Sequence, residues 1–543
     1  MSRKRRQKAR MPTSAPVTQQ VGAQILRQII NTGYSESGAS YRKGSLAAWR
    51  PIQSSPQSDI DVNLNTLRAR SADAAMGLPL ATSAINTSRT SVIGAGLRLS
   101  PKPKYKLLGI TSKEAEEWGQ IVKEEFDLWA SSKFCDVLRK NNWYDMQDIA
   151  YQRYLIDGDS FAAFKYRVPV PGMPYSLRIQ LFEASRICNP GVQSLLGAIS
   201  PWSVVVKNPD NGNRIINGVE VDDDGAVVAY WICNKYPYDP TNTQLPKWVR
   251  VEAFGKLTGQ PNILQISHDE RPEQYRGVPY LAPVLEVLKQ VGRYTEAELT
   301  AAIIKSFFSV FFKESYAGTG FPIEQALSQR DKVSLNPNDF ELGSGTMNVL
   351  PPGYDVTSVD ASRTLSTYEP FTNQLIKQIG AGLEQPYEVI LKAFNSSYTA
   401  SRAALLQAWA AYKIRRVWFS RDFNQPSYET WLGEAVAIRR IKAPGFFTNP
   451  LIRKAWCNAE WYGPVMGVLD PVKEVQASAA RVQQGISTRE KEAAEMTGTS
   501  WDENIERLAI EQERMQALGL PLEPVAKTKT DEKEPEEGGS VKE

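Results

Sequence analysis

The sequence predicts an α+β chain, mainly helical, on three observations. From Leu64 to Ile156 apolar residues recur at three- and four-residue spacing, and from Asp157 to His268 the period drops to two. From Pro283 to Arg440 the helical period returns over three long segments, and this stretch organises the rest. At 543 residues the chain exceeds what one hydrophobic core usually supports, so roughly two to four domains are expected.

Residues 1–60 read as a poorly ordered basic arm, with Arg3, Lys4, Arg5, Arg6, Lys8 and Arg10 followed by a stretch rich in Ser, Gly, Pro and Gln. Helix then runs from Leu64 to Ile93, bent at Pro79 and ended by Gly94 and Gly96. A second helix starts at Ser112, behind a capping box of Thr111 and Glu114, and a third covers Asn142 to Ile156. Strands are predicted at Phe161–Tyr166, Leu177–Phe182, Ile215–Val221, Ala226–Cys233 and Ile263–Ser267. Asp222, Asp223, Asp224 and Gly225 read as a hairpin turn, because the spacing and distal glutamate of a calcium loop are missing. Asp157-Gly158-Asp159 reads as a turn for the same reason.

In the organising stretch, Ile303, Phe307 and Phe311 form one apolar stripe and Ile304, Phe308 and Phe312 the next. A helix apolar on two faces needs neighbours on two sides. The second helix carries Tyr368, Phe371, Leu375, Ile379 and Leu383, with Ser366 or Thr367 as N-cap and Pro386 as stop. Between them, the insert holds a short helix near Pro322–Val333 and strands near Met347–Leu350 and Asp355–Val359. After the polar stretch Asn395–Ala400 comes a third helix, with Leu405, Trp409, Tyr412, Phe419 and Phe423 on one face and a bend expected at Pro426. Further helices are predicted at Pro471–Gln484, Thr488–Met496 and Trp501–Leu518, ahead of a low-complexity tail.

Composition and missing motifs argue against several chemistries. The net charge of +4 falls below zero once the six basic residues of the arm are set aside, so the body is not a bulk polycation for nucleic acid. Cys135, Cys188, Cys233 and Cys457 are far apart in sequence, with no CxxC pair, and read as buried free thiols of a reducing compartment. Gly255-Lys256 continues into Leu257 and lacks the upstream glycine of a phosphate-binding loop. His268 is the sole histidine, with no serine elbow beside it, and no carboxylates cluster at metal-ligand spacing. The most apolar window, Ala301–Phe312, is broken by Lys305 and too short for a bilayer. Catalytic residues, cofactor and metal are therefore all read as none; a metal-dependent nuclease or hydrolase using His268 and nearby acids is the alternative.

Four runs taken in order carry a resemblance: His268 to Pro283, Ile379 to Leu391, Ser397 to Ala403, and Asp470 to Ala477 continuing at Gly485 to Glu495. Over roughly residues 60–520 the chain resembles the portal proteins of tailed phages, of the lambda type. The resemblance implies a portal-type ring subunit with wing, stem, clip and crown regions. It places the disordered arm at 1–60, the wing at 61–282, the first stem helix at 283–313 and the clip at 314–363. The second stem helix falls at 364–386, the tunnel loop at 387–400, a long wing and crown helix at 401–440, the crown at 441–520 and a disordered tail at 521–543.

The same resemblance implies a homo-oligomer of about a dozen copies at one capsid vertex, through which double-stranded DNA is packaged and ejected. The implied partners are the terminase large subunit, major capsid and scaffold proteins and head-tail connector proteins, with no membrane. The implied location is the virion, with assembly in the host cytoplasm. Lys392, Asn395, Ser396, Ser397 and Tyr398 would line the channel, with Lys392 reaching phosphate. Ile303, Phe307, Phe311, Leu375 and Ile379 would make subunit contacts in the stem.

Overall fold

Two capping boxes fix where the N-terminal helices begin. The computed structural model describes residues 39–40, 43–191, 204–237, 239–306, 310–314, 354–358, 368–394, 397–467 and 471–519. Residues 1–59 form one unit, whose described part includes a turn closed by Leu46 N–H donating to Lys43 C=O at 2.9 Å; residues 60–543 form the other. In the second, α1 (Leu64–Gly77) and α2 (Pro79–Val92) are split at Leu78, with Pro79 in the first turn of α2, where it forfeits no helical hydrogen bond. Gly94 and Gly96 follow at φ 58 and 100° and turn the chain into β1 (Arg98–Pro101). The Thr111–Glu114 box opens α3 (Ser112–Ala130), and Asn142 with Asp145 opens α4 (Trp143–Asp157).

Aromatic packing joins these helices to the distant C-terminal half. The Phe126 ring meets Trp143 and Trp431 edge-on, with centroids 5.1 and 5.0 Å away, and Tyr428 at 5.9 Å. The main core is therefore assembled from elements some 300 residues apart, a separation read from the numbering itself.

The β part starts at β2 (Asp159–Tyr166) and continues through β3 (Leu177–Glu183), β4 (Val205–Lys207), β5 (Arg214–Ile216), β6 (Val219–Val221), β7 (Val227–Cys233), β8 (Trp248–Glu252) and β9 (Ile263–Ser267). One sheet has the order β3-β2-β9 and the other is the meander β4 to β8, all antiparallel. Alternation along β2 sends Ala162 and Phe164 into the helical core, and Phe161 and Ala163 into a smaller core shared with Val219, Tyr230 and Ile232. The run expected as one strand at Ile215–Val221 is two, turned at Asn217 and Gly218 with φ 45 and 87°. The aspartate hairpin is a turn, with Asp222 Oδ1 accepting from the N–H groups of Asp224 and Ala226 at 3.1 and 2.8 Å.

Asp157-Gly158-Asp159 is more than a turn. Gly158, at φ 89°, caps α4, and a Cβ on the facing Gly277 would lie 1.9 Å from Gly158 O, so the two backbones touch where only glycine fits. Asp159 is 0% exposed and receives Arg276 Nε at 2.6 Å, Arg68 Nη2 at 2.8 Å and Gly277 N–H at 3.1 Å. Arg276 continues to the carbonyls of Ile187 at 2.8 Å, Ala184 at 2.9 Å and Asn217. Burial alone would push the Asp159 carboxyl up, but Arg276 and Arg68 hold it below the usual carboxylate range.

Next come α5 (Leu285–Ser306), β10 (Val310–Glu314), β11 (Tyr354–Ser358), α6 (Tyr368–Gly382), α7 (Tyr387–Leu391) and α8 (Tyr398–Phe419). A π-helical turn at Ser420–Asn424 leads into α9 (Gln425–Ala437), and α10 (Pro450–Trp456) and β12 (Ala459–Tyr462) close the core. The final helices are α11 (Pro471–Gln483), α12 (Arg489–Met496) and α13 (Trp501–Ala517). No described helix is long and apolar enough to cross a membrane.

Several expectations are corrected here. The helix expected through residue 313 ends at Ser306, and Phe311 lies on β10 opposite Thr357 of β11. The Val-Phe-Phe run there has the β-branched and aromatic character of a strand, and a pairing partner is available. Ile379 is 0% exposed inside its own chain and so is not placed for a contact with another copy, while Leu375 packs partly buried on the same core. The interruption of the third helix falls at Ser420–Asn424, just ahead of Pro426. The span 387–400 is not one loop, since α7 occupies its start and α8 begins at Tyr398. β12, inside the expected crown, pairs with β1 of the expected wing, Leu99 facing Trp461. Residues 1–38 and 41–42 of the arm, the Ser366 and Thr367 caps, the Pro322–Val333 helix, the Met347–Leu350 strand and the tail lie outside the described residues, whereas the end of the arm, expected to be poorly ordered, holds the Lys43–Leu46 turn and a π-helical turn at Gln57–Asp61.

Two aspartates two positions apart give opposite predictions. Asp159→Asn leaves two buried guanidinium groups without their carboxylate and is expected to cost about 3–5 kcal/mol, read as a lowered urea midpoint. Asp157 behaves differently, because burial pushes its carboxyl up to about 6, with Arg153 at 3.7 Å offsetting only part. The folded chain thus holds a proton there that the unfolded chain releases, so this group's contribution is greatest below roughly pH 4 and is lost as pH rises through about 6. Asp157→Asn is expected to raise the urea midpoint at roughly pH 7 and leave it unchanged near pH 4, whereas a shift of equal size at both would refute the assignment.

Candidate functional site

The expected channel segment grows out of a tightly bonded knot. Leu383 to Pro386 form a turn in which Gln385 N–H donates to Gly380 C=O at 2.9 Å, and a Cβ on Gly380 would sit 2.5 Å from Gln385 O. Gln385 Nε2 donates to Ala84 C=O at 3.0 Å, and Ser83 Oγ donates to Ile390 C=O at 2.7 Å, so α2 clamps both ends of the turn and α7. From the other side Arg415 of α8 donates to Tyr280 Oη at 3.1 Å and to Glu384 Oε2 at 2.9 Å, with its guanidinium 4.6 Å above the Tyr280 ring. Tyr280 Oη in turn donates to Leu383 C=O. Two runs that looked distinctive in sequence, around Tyr280 and around Gln385, therefore meet at one point.

Beyond the knot the chain turns outward. Lys392 ends α7 in the left-handed region at φ 54° and is exposed, with no ion pair among the described residues. Ser397 caps α8, its side chain accepting from Ala400 N–H at 3.4 Å, and is exposed. Asn395 and Ser396 lie outside the described residues, as does the side chain of Tyr398. Of the five expected channel residues, then, two have a described environment, and both face water.

The stem positions divide sharply. Val284 just before α5, and Leu288 and Val291 in its first turns, are buried in the main core, whereas Leu299 and Ile303 are 61% and 49% exposed. α5 pairs with α6 through Tyr294, which stacks on Tyr368 at 5.5 Å and meets Phe371 edge-on at 5.2 Å. Tyr368 Oη also donates to Thr295 Oγ1 at 3.1 Å. Ile303 is the one expected stem contact found exposed; Phe307 lies outside the described residues.

The histidine named for the alternative chemistry is packed against a ring. The His268 imidazole lies flat on the Trp418 indole, with centroids 3.6 Å apart and planes within 10°, which is a packing role. Among the described residues no group of three His, Cys, Asp or Glu side chains could hold a metal ion.

Comparison with known proteins places the chain. The family described as phage portal protein, lambda family, matches residues 42–416. Portal protein B of Escherichia phage lambda is 24% identical over 507 residues, covering 90% of this chain and 91% of its own. The portal protein of Escherichia phage N15 is 25% identical over 510 residues, with 90% and 91% covered. A chain in the neck of a native gene transfer agent particle aligns at 13% identity with a TM-score of 0.39, covering 83% of this chain and 95% of its own.

The knot makes a direct prediction. Arg415→Leu removes the donor shared by Tyr280 and Glu384 and is expected to destabilise the fold by about 1–3 kcal/mol. Limited proteolysis should then open residues 383–394 first; cleavage beginning elsewhere would mean that Arg415 does not hold the segment.

Proposed function

The chain belongs to the lambda family of phage portal proteins, and on that premise we propose that its copies close a ring around a channel for double-stranded DNA at one vertex of a phage capsid. In this reading it is a structural component of the virion that performs no catalysis. Packaging ATPase and connector proteins would meet the ring at the clip, around 314–363, and capsid and scaffold proteins would meet its outer regions. Some of the expected region boundaries move, with the first stem helix taken as 285–306 and the strand at 459–462 assigned to the wing it pairs with.

The observation that carries the ring is the contrast along the α5–α6 pair, whose base is buried in its own core while Leu299, Ile303 and Phe371 are 61%, 49% and 51% exposed. Sister copies on either side would cover them, and closed symmetry gives each copy the same two neighbours. Around the channel, one exposed Lys392 per copy becomes a ring of positive charge that meets phosphate. The small polar residues after it can touch a DNA backbone without binding it tightly enough to stop it sliding.

Size-exclusion chromatography with light scattering, followed by negative-stain imaging, tests the ring directly. The wild-type chain is expected to run as one species of many copies. Leu299→Asp with Ile303→Asp should give a folded monomer, because a charge would be buried at each contact. A wild-type chain that stays monomeric at every concentration would overturn the ring. Shortening residues 395–398 should leave rings intact while DNA packaging fails, and normal packaging would remove the channel assignment.

A further inference from the structure

Cys188 and Cys233, 45 positions apart in sequence, meet on one face of the five-stranded sheet. Residues 187 and 232 form an antiparallel bridge, and Cys188 N–H donates to Trp231 C=O at 3.3 Å, so Cys188 stands opposite Trp231 and one step diagonal to Cys233. On the other side of β7, Cys233 lies directly across from Trp248 of β8. The Trp248 indole Nε1–H reaches over and donates to Cys188 Sγ at 3.3 Å, which brings the first sulfur above the position of the second. Both thiols are unoxidised.

Both backbones are held in place. Arg276 grips the carbonyls of Ala184 and Ile187 at 2.9 and 2.8 Å, just before Cys188, and Arg186 donates twice to Cys233 C=O at 3.1 and 2.9 Å. Exposure also divides the labour, since Cys188 is half-buried and Cys233 is buried behind it.

We propose that Cys188 and Cys233 form an oxidation site that a low-molecular-weight disulfide of the glutathione type converts to a protein disulfide. The sulfur of Cys188, having given its proton to solvent, attacks one sulfur of oxidised glutathione; the other glutathione leaves as thiolate and takes up a proton. The Cys233 thiolate then attacks Cys188 Sγ and expels the second glutathione. Two protein thiols and one external disulfide become one protein disulfide and two glutathione thiols, so two electrons pass outward and all atoms are accounted for. While both thiols are free, their contact holds Cys233 below its ordinary range and, with burial, holds Cys188 above it; once Cys188 carries glutathione, the Lys235 N–H and the Arg186 and Lys235 charges remain to favour the Cys233 thiolate in the second step. The site does not depend on the ring.

The test treats the full-length chain with oxidised glutathione, quenches with acid, alkylates under denaturing conditions and maps the peptides. The expected product is a peptide pair joined through residues 188 and 233, formed at least about tenfold faster than any change at the buried Cys135 and Cys457. Cys233→Ser should retain one glutathione on Cys188, because nothing resolves it. Cys188→Ser should retain none, since the remaining sulfur is out of reach. Wild-type protein that keeps glutathione on Cys188 without cross-linking, or whose two thiols survive as untouched as Cys135, overturns the proposal.

Discussion

One carboxylate, shut away from water, fixes how the parts of this chain meet. Asp159 accepts from Arg276, Arg68 and the Gly277 backbone, and through them it ties the first long helix, the central strand and the approach to the stem to a single point. An ion pair so deeply buried adds little net stability over apolar packing of the same shape, but removing one member leaves an uncompensated charge. The arrangement therefore selects one geometry over its neighbours. Its second arm, from Arg276 to the carbonyls of Ala184 and Ile187, carries the same geometry into the smaller β core.

Much of this was legible in the sequence where a local signal names a local structure. Thr111 with Glu114 marked a helix start because a side-chain cap needs only its own turn, and Asp222 to Gly225 marked a hairpin for a similar reason. Strands β8, β1 and β12 were missed because each is short and exists through its partner, as Leu99 does through Trp461. Asp159 was misread because a turn motif and a buried ion pair look identical until Arg68 and Arg276 are brought to it, from 91 and 117 positions away. The two helices expected as stem are helical over Leu285–Ser306 and Tyr368–Gly382, and their apolar faces are not uniform in burial. Ile379 and Ile303 sit in similar apolar patterns, yet one is buried in its own chain and the other waits at the surface, a distinction that periodicity does not carry.

The knot of Tyr280, Gln385, Arg415 and Ser83 explains why the exposed segment can be small and polar and still be positioned. Its reach is set by the groups at its root, which are bonded on three sides. The same logic runs along α5, whose lower turns are packed into the main core through Leu288 and Val291.

The π turn at Ser420–Asn424 has a consequence for which changes this gene product tolerates. Tyr412 and Phe419 face the core before the turn, and Tyr428, Trp431 and Ala435 face it after, one residue later than an unbroken α-helix would place them. Deleting a single residue there would return the turn to α-helix and leave that downstream face in phase, whereas inserting one more would rotate everything beyond it by about 100°. The turn therefore holds one residue of slack: the helix can lose a position there and keep its face, while Ser420, Phe423 and Asn424, buried within the turn, restrict which side chains it accepts.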